Sequence, residues 1–275
     1  MQNKLKVSVI IPNYNYAKYL KKRVKVIEKQ TYPIYELIVL DDCSTDNSRE
    51  VIEKLAKKYN IKMIFNEENS GCVFKQWQKG IEAATGDLIW IAEADDQASK
   101  KFLEKMVPCF EDKDVILAFA DSKQINTRGR VIRKTYKDLA DEYHIGRYDN
   151  SYVNDGKDEI TNHLIIKNYI YNASGCLIRK GNYKKILDEC TEFKLAGDWN
   201  FYVHLLEKGK VAYVADTLNY HRIHTSSVTK TTKKQLHYDE VVRIQESIKK
   251  KYKISKKALD KVEEQRKLLK QVLGL

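Results

Sequence analysis

Residues 86–96 read GDLIWIAEADD, and this stretch limits the fold of the chain more than any other. It opens on a turn residue, continues through Leu88, Ile89, Trp90, Ile91 and Ala92, and closes on Glu93, Asp95 and Asp96. A short β-branched and aromatic run predicts a strand buried on both faces. Ionised carboxylates at the end of such a strand are costly unless a positive group meets them, and the adjacent Asp95 and Asp96 raise that cost. A divalent cation is the simplest compensation, because hard cations take carboxylate and phosphate oxygens. The bland counterpart is a strand running into a solvated acidic turn, and this stretch alone does not choose.

The residues before it repeat one pattern. KVSVIIP at 6–12 is a first strand, stopped by Pro12, which has no N–H for a central ladder. A polar, aromatic loop of Asn13, Tyr14, Asn15 and Tyr16 follows, and Tyr19, Leu20, Val24 and Ile27 then recur at helical spacing. ELIVL at 36–40 is a second strand that ends in DDCSTDNS; a helix starts from its caps near Asn47 or Ser48. A third strand spans 62–65, and a helix over 73–84 carries Lys75, Trp77 and Lys79. Strands and helices alternating over short connections predict an α/β fold, with a mostly parallel sheet, helices on both faces and right-handed crossovers. Two strand ends carrying aspartate pairs then meet a tyrosine-rich loop on one edge, which favours the metal reading over the acidic turn.

The second half is less regular. We expect a helix over 99–110, a buried strand over 115–120 and a hairpin turn at 126–129 leading into Arg130, Val131 and Ile132. Residues 136–159 are polar, rich in Tyr and Asp, and lack periodicity; a stretch that long without structure is usually functional or mobile. A strand falls at 174–178 and another at 211–214. Asp198 in Gly197-Asp198-Trp199 reads most simply as the N-cap of a helix over 201–206. His221 to Val228 form a basic, hydroxyl-rich loop. Residues 233–275 look helical and basic, with Val241, Ile244, Ile248, Leu259, Val262, Leu269 and Val272 marking apolar faces. Their lysine run reads as a solvated face, with an anionic membrane surface or self-association as the sharper alternatives.

Bulk properties set outer limits. With 275 residues the chain is long enough for one large domain or a domain plus an appendage, and 3 Pro and 11 Gly leave no low-complexity linker. The net charge of +12 admits nucleic acid, an anionic membrane or a phosphorylated substrate as partner, and also plain lysine bias. Five widely spaced cysteines without a C-x-x-C suggest neither a disulfide framework nor a zinc site. No signal-peptide core and no apolar run near the roughly 18 residues of a membrane span is visible. The expected location is the cytoplasm, with peripheral contact at the inner face of the membrane.

Taken together, VSVIIPNYN, LIVLDDCSTDNS, NSGCVFKQWQKGIEAATGDLIWIAEADD, AGDW and YHRIHTSSVT resemble, in order, the motifs of glycosyltransferase family 2, over roughly residues 7–228. The resemblance implies a GT-A (Rossmann-like) fold for residues 1–228, with 229–275 as a basic helical C-terminal extension. It implies an inverting, metal-dependent transferase that moves a sugar from a nucleotide-diphosphate donor, a UDP-sugar first, to a hydroxyl of a glycan, lipid-linked or protein-linked acceptor. Pro12 and Tyr14 would shape the base pocket, and Asp42 with Asp41 would accept hydrogen bonds from base or ribose. Asp95 and Asp96 would represent the metal motif, with Asp96 the ligand of Mn²⁺ or Mg²⁺. Arg222 would face the diphosphate, His224 would join the metal, Lys75 would reach the phosphates, and Asp198 would be the general base. Two positions depart from the family pattern. Gly197 stands where an acidic residue usually precedes the base, and Glu93 stands two residues before Asp95.

Two rival classes remain at this level. A nucleotidyltransferase shares such a sheet and metal but would carry a glycine-rich basic loop after the first strand; here that loop reads PNYNYAKYL. A nucleic-acid-binding module would concentrate Lys and Arg around exposed aromatics, whereas the acidic residues gather at the site and the positive excess is heaviest in the tail. A non-catalytic binder of sugar nucleotides is the third possibility, raised by Gly197.

Overall fold

The computed structural model describes residues 4–140, 142–224 and 234–275. Among them ten strands form one mixed sheet: β1 Val7–Asn13, β2 Glu36–Asp41, β3 Ile61–Phe65, β4 Leu88–Ile91, β5 Gln97–Ala98, β6 Val115–Ile125, β7 Val131–Arg133, β8 Tyr152–Asp155, β9 Cys176–Arg179 and β10 Lys210–Arg222. The helices are α1 Ala17–Glu28, α2 Ser48–Ala56, α3 Val73–Ala83, α4 Phe102–Met106, α5 Lys137–Ala140, α6 Gly156–Glu159, α7 Lys184–Cys190, α8 Gly197–Leu206, α9 Lys234–Lys251 and α10 Lys256–Leu273. The strand order is β3-β2-β1-β4-β9-β6-β10-β5, with β7 on β6 and β8 on β10.

The direction of these strands decides where the site lies. β1 pairs in parallel with β2 and β4, as the βαβ alternation predicts. β9 is antiparallel to both β4 and β6, and β10 runs parallel to β6. β6 and β10 therefore point the same way as β1, β2 and β4. Arg222, at the end of β10, reaches the rim where Asn13 and Asp41 end β1 and β2.

The sheet separates two apolar cores, and period-two alternation divides each strand between them. Leu88 and Trp90 join Val7, Val9 and Ile11 under α1 and α4, while Ile89 and Ile91 join Ile10 and Ile38 under α3 and α8. β4 is thus buried on both faces, as its composition requires. Trp90 stacks on Phe102 at 4.5 Å between ring centroids, worth about 0.5–1.5 kcal/mol beyond the buried area. Its Nε1–H donates to the Ser174 carbonyl at 2.8 Å.

Several expectations about the second half need correction. The helix expected over 99–110 is split: α4 gives way at Val107 to a 3₁₀ segment, with Pro108 at its start. β6 and β10 extend well beyond their apolar runs, because their polar ends pair with each other across register shifts. Residues 136–159, read as lacking regular structure, hold α5, β8 and α6. β8 adds to the edge of β10, and Tyr148, Tyr152 and Tyr213 pack ring against ring with centroids 5.2–6.2 Å apart.

The C-terminal segment is helical as expected, and its inner face is continuous with the main core. Val241, Ile244, Ile248, Ala258 and Val262 are buried in the same cluster as Trp199 and Phe201 of α8. The boundary expected at 228/229, and residues 225–228 of the late loop, lie outside the described residues. Among the described residues no helix is long and apolar enough to cross a membrane.

Candidate active site

The carboxyl rim of the sheet opens into a cleft of about 550 Å³. Pro12, Tyr14 and Asp42 line it together with Glu93, Asp95, Asp96, His221, Arg222 and His224. Asn15 and Cys43 turn the chain away from β1 and β2 with positive φ of 59° and 57°, which Asn tolerates better than most residues. Asp42 is fixed by four donors: Asn66 Nδ2 at 2.7 Å, Ser70 N at 2.9 Å, Gln76 Nε2 at 2.9 Å and Ser70 Oγ at 2.7 Å. Tyr14 is 45% exposed, so its ring is free to stack on a planar ligand.

Asp41 and Lys75 are placed away from the cleft walls. Asp41 is fully buried and braces the turn, accepting from Asn13 Nδ2 at 2.7 Å and from Ser44 Oγ and N at 2.6 and 3.0 Å. Lys75 is exposed on α3, whose buried neighbour Gln76 faces the cleft instead.

The two aspartates of the acidic motif have different surroundings. Asp96 is 2% exposed. Its Oδ1 accepts the backbone N–H of Arg222 at 2.8 Å, and its Oδ2 accepts Asn172 Nδ2 at 3.0 Å. Burial, and then the Asp95 carboxylate, push its pKa up. Asp95 instead turns Oδ2 toward His224 Nε2 at 2.8 Å, and the Tyr16 hydroxyl lies 3.3 Å from the same nitrogen. Burial and the Asp95 carboxylate hold Tyr16 in its neutral form. Glu93 accepts Trp77 Nε1–H at 3.0 Å, and burial followed by Asp95 pushes it up to about 8.

Arg222 connects the walls. Its Nε–H donates to the Asp95 carbonyl at 2.6 Å, its Nη1 to the Asn126 carbonyl at 2.5 Å, and its guanidinium lies 4.6 Å from the Tyr19 ring centroid. Beneath the acidic motif Arg23 of α1 is fully buried, 5.1 Å from the Trp90 ring centroid. Burial pulls it down to about 10, while Asp96, Asp95 and Glu93 oppose that shift. Arg23, Tyr16 and Asn172 escape a reading of the sequence. Arg23 follows two lysines in a basic helix, yet lies on its buried face with Leu20, Val24 and Ile27, and Asn172 sits in a stretch with no motif.

Asp198 lies in the first turn of α8, whose neighbour Gly197 packs against the Phe74 ring of α3. The residues flanking Phe74, among them Cys72 and Val73, line the cleft, whereas Asp198 is not itself among the lining residues. Asp198 Oδ1 accepts the Trp199 N–H at 2.7 Å, and burial pushes the carboxyl up to about 7, with Glu240 of α9 adding to the rise. A carboxylate poised near neutrality suits proton abstraction.

The family model for glycosyl transferase family 2 matches residues 8–187. An uncharacterized glycosyltransferase of Nostoc sp. is 39% identical over 115 residues, covering 41% of this chain and 35% of that protein. The poly(ribitol-phosphate) β-N-acetylglucosaminyltransferase TarS of Staphylococcus aureus is 31% identical over 140 residues, covering 50% of this chain and 24% of that one. This chain therefore matches about a quarter to a third of the length of these curated relatives. The crystal structure of TarS 1–349 with UDP-GlcNAc superposes with a TM-score of 0.66 at 22% identity, covering 89% of this chain and 66% of that one. A mannosyltransferase of Pyrobaculum calidifontis, solved with GDP-Man and Mn²⁺, superposes with a TM-score of 0.66 at 15% identity, covering 99% and 72%. These superpositions show the GT-A fold.

Proposed function

Because this chain belongs to glycosyltransferase family 2, we propose that it transfers a sugar, with inversion, from a nucleotide-diphosphate donor to an acceptor hydroxyl. One observation carries this reading: a single cleft joins Tyr14 and Asp42, suited to a nucleoside, to Asp95, His224 and Arg222, suited to a diphosphate with its cation. The UDP-GlcNAc complex of TarS supports a UDP-sugar as donor. The name of that relative, a poly(ribitol-phosphate) β-N-acetylglucosaminyltransferase, supports a polymeric surface-glycan type of acceptor.

The donor set fits a hard cation. Asp95 Oδ2 and His224 Nε2 are 2.8 Å apart in the cleft, and among the described residues no three His, Cys, Asp or Glu side chains gather as a cage. One carboxylate and one imidazole would leave room for diphosphate oxygens, which Mg²⁺ or Mn²⁺ takes alongside one or two carboxylates. Asp95 and His224 would therefore hold the ion, while Asp96 anchors the Arg222 backbone. When bound, the ion supplies Lewis-acid neutralisation of the departing diphosphate.

The remaining work falls to side chains. Tyr14 stacks on the base, and Asp42, already oriented by Asn66, Ser70 and Gln76, accepts its N–H or a ribose hydroxyl. The Arg222 guanidinium adds fixed positive charge beside the leaving group. Asp198 takes the acceptor proton as the oxygen attacks the anomeric carbon; the bond from that carbon to the diphosphate oxygen breaks on the opposite face. A panel of nucleotide sugars, screened for Mn²⁺-dependent hydrolysis and thermal stabilisation against an EDTA control, tests the reading. At least one UDP-sugar should score in both, and a panel silent in both with Mn²⁺ and Mg²⁺ would overturn it.

A further inference from the structure

Glu240 lies on α9, 44–46 residues beyond the segment it grips. Its Oε1 accepts the N–H of Lys194 at 2.7 Å, and its Oε2 accepts those of Leu195 and Ala196, both at 2.9 Å. Three successive amides thus converge on one carboxylate that is 5% exposed. The next residues are Gly197 and Asp198, and the first helical bond of α8 runs from Asn200 N to Ala196 O at 3.1 Å. One turn along α9, Arg243 pairs with Glu192 and lies 4.6 Å from the Phe193 ring centroid. α9 therefore holds residues 192–196 at both ends, directly before α8.

We infer that Glu240 is a positioning residue for Asp198: by collecting the amides of 194–196 it fixes where α8 begins, and so where the proposed base points. This rests on the reading of Asp198 as general base. A backbone turn in the interior must have its N–H groups answered, and a carboxylate answers three at once with charge-assisted bonds. An apolar residue at 240 would leave them unmet, and the turn would rearrange to reach other partners. Displacements of about 1 Å in reacting groups cost up to about 10²-fold in rate. The Glu240 charge also acts on Asp198 through space. The other titratable groups around Asp198 are Cys176, Cys190 and Tyr202, which burial keeps in their neutral forms. Glu240 is thus the negative neighbour that holds the Asp198 proton more tightly. The basic C-terminal helices, which look like an appendage in the sequence, then form part of the catalytic framework.

The test uses the full chain, with the nucleotide sugar chosen by the screen above as substrate and UDP with Mn²⁺ as binding probe. Glu240→Gln keeps the reach but loses the charge and one acceptor oxygen. It should lower kcat by about 10–100-fold, leave UDP–Mn²⁺ affinity within about twofold, and move the acidic limb of kcat/KM to lower pH. Glu240→Ala should lower kcat further. Wild-type kcat and an unmoved acidic limb in folded Glu240→Gln would overturn the inference. If both variants fail to fold, amide exchange in the unaltered chain decides. The amides of 194–196 should exchange as slowly as those inside α8, and exchange at the rate of exposed loops would reject the clamp. Asp198→Asn separates the two levels. An active Asp198→Asn removes the base assignment itself, whereas an inactive one beside an unaffected Glu240→Gln removes the clamp alone.

Discussion

His224 Nε2 stands 2.8 Å from Asp95 Oδ2, although 129 residues separate them in the chain. The contact closes the cleft between the acidic motif and the end of β10. It puts the His224 imidazole directly on Asp95, while the Asp96 oxygens answer the Arg222 N–H and the Asn172 amide. Asp95→Asn and His224→Ala should each weaken Mn²⁺-dependent UDP binding by about 10–100-fold, the scale on which disturbed ligation costs metal affinity. Calorimetric titration with and without Mn²⁺ measures this. Equal UDP affinities in wild type and both variants would remove the pair as metal ligands.

Asp198 carries the proposed proton transfer, and its pH behaviour follows from burial. Burial pushes its carboxyl up to about 7, and a base works only when deprotonated. kcat/KM should therefore rise with pH through about 7 and level off above it. Asp198→Asn should cut kcat by about 10²–10⁴-fold, abolish that rise, and leave the dissociation constant for UDP with Mn²⁺ unchanged. Steady-state kinetics across about two pH units on either side of neutrality would show the limb; a variant with normal turnover would end the assignment.

Asp96 should behave as a structural residue. Its Oδ1 answers the Arg222 N–H and its Oδ2 the Asn172 amide. Asp96→Ala leaves a buried N–H without a partner, a cost of about 1–3 kcal/mol. Urea unfolding should show that loss. Asn172→Ala should lower stability less and leave Mn²⁺ binding in place, because Asp96 keeps its bond to Arg222. Loss of Mn²⁺ binding in Asn172→Ala with unchanged stability would contradict this division of labour.

The parts of this molecule readable from its sequence are those with local causes. β4 is legible because both faces are buried, so its residues are uniformly apolar up to Glu93. The aspartate pairs 41–42 and 95–96 follow directly from the ends of parallel strands, although the sequence resemblance favours Asp96 over Asp95 as the metal ligand. Both aspartates line the cleft, but that Asn172 and Arg222, far along the chain, take the Asp96 oxygens is not legible in the sequence. The ordered structure within residues 136–159 escapes for a similar reason. β8 has no alternating pattern, because it is an edge strand held by a tyrosine cluster and by β10. Glu240 carries no local signal at all: one glutamate on a basic helix looks solvated until the turn it caps is seen.

Gly197 stands where the resemblance leads one to expect an acid, and its packing against Phe74 gives a physical reason for a glycine there. A Cβ on Gly197 would fall against Cε2 and Cζ of Phe74, closer than carbon atoms pack, and 3.0 Å from the Cys190 carbonyl oxygen. The ring is 6% exposed and stacks edge-on to Trp77 at 5.1 Å, so it has little room to retreat. Gly197→Ala should therefore destabilise the protein by about 1–3 kcal/mol, the usual cost of overpacking. Phe74→Leu removes ring atoms at the point of contact. In that background the same Gly197→Ala change should cost much less, giving a favourable coupling of about 0.5–3 kcal/mol in a double-mutant cycle. Urea midpoints of the four proteins measure it. Additive losses would show that the ring does not set the residue at 197, and that the glycine has another cause.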